Sequence, residues 1–100
     1  MVEAATKVLF LVHKDDEHNT VFAVMPQICG TYDPNTMTSY EMVGQHGAAA
    51  QAYVDECRLA TLGEYAALKR ELESIGYAVE VADYTGDEDF AIREKELASV

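Results

Sequence analysis

The sequence predicts an α+β fold: a four-stranded, mainly antiparallel sheet in the order β-β-β-α-β, packed on one amphipathic helix. Three observations predict it. Two short runs rich in branched and aromatic residues stand close together near the start, a capped amphipathic segment lies in the middle, and a cleanly alternating segment follows it.

The first run, Lys7 to His13, is too short for a helix. Val8, Phe10 and Val12 alternate with Leu9 and Leu11, so both faces of this strand need cover. Thr20 to Met25 predicts a second strand, halted at Pro26 and paired with the first as a hairpin. The turn signal Asp33-Pro34-Asn35 then leads into a third strand, Thr36 to Val43, half polar on one side because Thr36 and Thr38 share a face with Tyr40 and Met42. Gly44-Gln45-His46-Gly47 ends it. Good helix formers without a long apolar stripe predict a short extra helix at 48–56.

Thr61 and Glu64 form the signature of a capping box, and Leu62, Tyr65, Leu68, Leu72 and Ile75 follow at spacings of three and four. The helix is expected over about 62–75, with Gly76 as its left-handed stop. Tyr77 to Asp83 alternates and predicts a strand with one wet face. Residues 1–86 therefore read as a single domain. Residues 87–100 read as an acidic C-terminal tail, helical or disordered, with Phe90 and Leu97 as its large apolar anchors.

A chain of 100 residues holds one core, burying roughly 65% of its unfolded surface, and 49% apolar content argues against a wholly disordered chain. Eighteen acidic against seven basic side chains leave a formal charge of −11. Lys7, Lys14, Arg58, Lys69, Arg70, Arg93 and Lys95 are scattered, which disfavours direct nucleic-acid binding and anionic membranes. No apolar run approaches the ~18 residues that span a bilayer, and the start lacks the basic residues of a secretion signal, so a cytoplasmic location is expected. Cys29 and Cys57 form no CxxC pair and read as reduced, part-buried side chains.

The two-sided first strands predict a homodimer, since one helix covers one face. Against the plainer reading that it keeps the protein soluble or reflects a salty host, the acidity favours a basic protein partner. A more specific form of that idea is DNA mimicry by a line of carboxylates such as Asp83, Asp87, Glu88, Asp89, Glu94 and Glu96.

Candidate chemistry is sparse. His13 and His18 flank Asp15, Asp16 and Glu17, a zinc or nickel candidate that lacks any fixed ligand spacing and competes with a plain solvated turn. Tyr40, Gln45 and His46 are the ligand-binding candidates: two glycines free the Gln45 and His46 side chains at a strand end, where an amide and an imidazole can meet a ligand. An enzyme centred on His46, with Gln45 orienting, is the alternative to a binding module. The bland reading of His46 is a cap on the following helix. A Cys57–His46 pair has no spacing to support it. Ser39, Ser74 and Ser99 sit in no nucleophile elbow, and no phosphate cradle or dinucleotide fingerprint is present. No catalytic residue and no cofactor are assigned, and the leading expectation is a non-catalytic interaction protein; Tyr40 or Tyr53 is a candidate interface anchor, set against the commoner reading of half-buried packing.

Three stretches carry a resemblance. They are Phe22 to Ile28, then Ser39-Tyr40 with Gly44-Gln45-His46, then Ala60 to Tyr65 running on to Glu71-Leu72-Glu73-Ser74-Ile75-Gly76-Tyr77. Together, over about residues 7–83, they resemble a group of small proteins of bacterial genomes and mobile elements with no settled biochemical role. The likeness departs at Gly63, in the hairpin loop and in the acidic tail. It implies a compact α+β fold and supplies no catalytic residue.

Overall fold

A computed structural model describes residues 5–42 and 44–99. The elements run β1 (Thr6–His13), β2 (Phe22–Cys29), β3 (Thr36–Glu41), β4 (Gln45–Ala50), α1 (Gln51–Val54), β5 (Cys57–Leu59), α2 (Leu62–Ser74), β6 (Val79–Val81) and α3 (Asp87–Ala98). The architecture is α+β, as expected, but the sheet has six strands in the order β4-β3-β2-β1-β5, with β6 also on β1. All pairings are antiparallel except β1 with β6.

The expected β1–β2 hairpin is present, with Leu9 opposite Val24 and Leu11 opposite Phe22. Pro26 does not end β2. The strand passes through it in an irregularity that takes the register from Met25 opposite Thr38 to Cys29 opposite Met37. A bulge tolerates proline because the residues inside it leave the hydrogen-bond ladder.

The largest difference lies at 45–56. Instead of a loop and a helix, the chain turns at Gly44, whose φ of +83° suits glycine, and returns as β4 paired with β3 along its whole length. Ala48, Ala49 and Ala50 are strong helix formers, yet pairing with β3 overrides local preference. The helix of 48–56 is reduced to the single turn α1. The third strand's expected end at Val43 lies outside the described residues. The three-residue β5 was also missed, being too short to show a period, and it pairs with the end of β1.

α2 carries the capping box in full: the Glu64 amide donates to Thr61 Oγ1 at 3.3 Å, and the Thr61 amide donates to Glu64 Oε1 at 2.9 Å. Of its stripe, Leu68 and Leu72 are buried and Tyr65 stacks on Phe10 with ring centroids 4.5 Å apart, while Leu62 and Ile75 at the two ends are exposed. These residues join Val8, Phe10, Ala23, Met25 and Tyr40 in the core on one face of the sheet. The second face is buried too, around Leu9, Leu11, Val24, Met37, Ala49 and Val54. Its cover comes from α1, the segment around Ala82 and, over β2, the C-terminal segment 87–98, within a single chain. The apolar surface that motivated a second copy is therefore already enclosed.

Residues 87–98 are a helix packed against β2. Its inward anchors are charged: Asp89 and Arg93 are 0% and 1% exposed, whereas Phe90 and Leu97 are only half-buried. Lys7 Nζ donates to Asp89 Oδ2 at 2.8 Å, Gln27 Nε2 to Oδ1 at 3.1 Å and the Gly86 amide to Oδ2 at 2.9 Å. Arg93 donates to the carbonyls of Pro34, at 2.8 Å, and of Pro26, inside the β2 irregularity. Burial alone would push the Asp89 carboxyl up, but these hydrogen bonds together outweigh it and hold the group below its ordinary value.

Candidate functional site

The β3–β4 hairpin presents one set of side chains on each face. Tyr40 and His46 are directly opposite in the register and share the α2 face; Ser39 with Gly47, and Glu41 with Gln45, share the other.

On the α2 face the structure brings Tyr40 and His46 together, with ring centroids 4.8 Å apart in an edge-on arrangement. Tyr40 Oη donates to Glu71 Oε2 at 2.6 Å, and His46 Nε2 lies 2.8 Å from Tyr77 Oη. The Tyr40 hydroxyl is pushed above its ordinary range by its bond to the Glu71 carboxylate, then by burial. His46 sits on a strand, so it caps no helix. The two hydroxyls and His46 Nε2 are committed within the cluster, which pins the hairpin to α2 and to the chain entering β6. Gln45 is not part of this cluster.

On the opposite face a trough of about 330 Å³ is lined by Phe22, Ser39, Glu41, Ala48, Ala49, Ala50 and Tyr53. A second depression of about 180 Å³ shares Ser39, Glu41 and Ala48 with it and extends along the hairpin to Gln45, His46 and Gly47. The floor is low because β4 contributes glycine and alanines there; a Cβ at Gly47 would stand 3.2 Å from Ser39 Oγ. Tyr53 closes one end, stacked on His13 with centroids 4.4 Å apart and tilted against Phe22 at 5.8 Å. Burial, then the nearby Cys57 thiol and the carboxylates of Asp16, Glu41 and Glu56, raise its hydroxyl pKa, and those three carboxylates put this end of the trough in an acidic field. A carboxylate beside aromatic rings over a small-residue floor suits a cationic side chain, which gains both an ion pair and a ring face.

Glu41, Ser39 and Phe22 were not singled out as site residues from the sequence, and Gly47 only as a flank of Gln45 and His46. Strand alternation places Ser39 and Glu41 on one face, but the trough exists only because β4 is a strand.

His13 and His18 are not joined as a ligand pair. The Asp15 amide donates to His13 Nδ1 at 3.2 Å and His13 Nε2 faces Glu56 Oε2 at 3.2 Å, so both ring nitrogens are engaged. His18 is exposed, and its amide donates to Asp16 Oδ1 at 2.9 Å in a local turn. Among the described residues no group of three His, Cys, Asp or Glu side chains converges as a metal cage. Cys57 Sγ donates to the Tyr53 carbonyl at 3.4 Å, and Cys29 and Cys57 are both free. Asp89, one of the carboxylates in the DNA-mimic line, is turned inward onto Lys7.

Basic side chains are largely occupied. Lys7, Lys14, Arg58 and Lys69 stand in ion pairs with Asp89, Glu56, Glu64 and Glu73, and Arg93 is buried. No helix among the described residues is long and apolar enough to cross a membrane. No family model matches the chain, and the searches of curated proteins and of solved structures found no match either.

Proposed function

We propose that the chain is a non-catalytic binding module that takes a basic segment of a protein partner in the β3–β4 trough. One observation carries the reading: the Glu41 carboxylate lies in an open trough beside Tyr53 and Phe22, in a molecule of charge −11 whose basic side chains are mostly paired internally. The Tyr40–His46–Tyr77–Glu71 cluster supports catalysis less well, because both hydroxyls and His46 Nε2 are already hydrogen-bonded within it.

The reading is tested with a fluorescein-labelled hexapeptide of alternating Arg and Val and its counterpart with Glu in place of Arg, followed by anisotropy. The Arg peptide is expected to bind and to weaken at least about tenfold between about 50 and 500 mM salt, because screening shortens exposed charge interactions. Equal binding of the Glu peptide, or binding indifferent to salt, overturns it.

A further inference from the structure

The two edges of the sheet are built differently. On the outer side of β1 stand β5 and β6, each of three residues, end to end and carrying the exposed charges Arg58 and Glu80. Short, charged, interrupted strands are how an edge is protected from further pairing. β4, Gln45–Ala50, has none of these devices: six residues without charge, proline or bulge, exposed at every position but Ala49. Among the described strands it pairs with β3 alone. Every second residue of such a strand directs its amide and carbonyl outward, unpaired.

The trough lies directly inboard of this edge. From a strand added beside β4, a side chain on the trough face has to cross β4 to reach Glu41 on β3, about 9–10 Å straight over Gln45 and roughly 12 Å on the diagonal over Gly47. Only an extended arm such as Lys or Arg covers that with the carboxylate reaching back, and Gly47 leaves the crossing open. A second copy would bring another charge of −11 to the same edge, whereas a basic strand meets complementary charge.

We infer that the partner segment binds as a seventh strand along the outer edge of β4, with one Lys or Arg side chain laid across Gly47 onto Glu41. The inference rests on the proposed function and adds its binding mode. Main-chain bonds supply affinity and the single cation supplies selection.

The test adds an alternately N-methylated Arg peptide, which keeps the charges and cannot pair along one edge, and the variants Glu41→Gln and Gly47→Val. Valine suits a strand, and an unchanged thermal melt confirms that this variant folds. The unmodified Arg peptide is expected to protect the amides of 45–50 from hydrogen exchange, while N-methylation and each substitution weaken binding about tenfold. Equal binding of the N-methylated peptide overturns strand addition and leaves the basic-segment reading standing. Failure of both Arg peptides overturns both. Protection of 45–50 that rises with protein concentration in the absence of peptide places a second copy on the edge and overturns the inference.

Discussion

α2 and α3 both lie against the sheet, and they hold it by opposite means. α2 buries Leu68 and Leu72; α3, of nearly the same length, buries Asp89 and Arg93, one helical turn apart. Leucines need only to leave water, whereas a buried carboxylate and guanidinium need every lone pair and proton answered. Here the β2 irregularity answers them: Gln27 reaches Asp89, and the Pro26 carbonyl accepts from Arg93. The lesson is that an irregular strand and a polar helix can fit each other as firmly as two apolar surfaces, at the cost of dependence on charge.

Breaking that dependence should give the largest effect. Asp89→Ala strands Lys7, itself only 11% exposed, and is expected to destabilise the protein by about 3–5 kcal/mol in urea unfolding. The wild-type protein should show the same weakness in acid. Because the folded Asp89 carboxyl lies below the ordinary aspartate value of 3.8, its contribution is complete above that value and is lost as pH falls through the lowered folded one. Amide exchange across that window should release α3 before α2.

Leu72→Ala sharpens the contrast from the other side. Removing a fully buried leucine is expected to cost about 3 kcal/mol, since both transfer and cavity terms are lost. Its cost should not change across the acid window that loosens α3. If Leu72→Ala and Asp89→Ala showed the same pH dependence, the two helices would not be held by different forces.

The same contrast explains what the sequence revealed. Leu68 and Leu72 at helical spacing made α2 readable with its cap and stop, and Gly76, at φ +112°, ends it as expected. Hydrophobic periodicity is blind to inward charges, so α3 read as an acidic tail, helical or disordered, and the i,i+4 spacing of Asp89 and Arg93 pointed to a helical turn without showing that both side chains face the sheet. β4 was hidden for another reason: Ala48 to Ala50 favour helix locally, and only the return at Gly44 and pairing with β3 make them a strand. Tyr40, Gln45 and His46 were found by residue type, and the register then separated Gln45 from the other two. Glu41 was an unremarked end of a strand until β4 enclosed a trough beside it.

At the start of α2 the charges lie on an exposed surface, where effects are smaller. Thr61→Ala removes the acceptor of the Glu64 amide and is expected to cost about 1 kcal/mol in thermal unfolding. Glu64 itself accepts two bonds from Arg58, at 2.8 Å each, and one from the Thr61 amide, which hold its carboxyl at about 2 against an ordinary 4.5. A depressed carboxyl stabilises the fold above its ordinary value and loses that contribution as pH falls from about 4.5 through about 2, lower than most carboxylates titrate. In Arg58→Gln, NMR titration should move Glu64 back toward 4.5, leaving only its contacts with Thr61 to depress it, while stability at neutral pH changes little because the pair is open to water. A Glu64 carboxyl still titrating near 2 in that variant would assign its depression to the helix terminus rather than to the guanidinium.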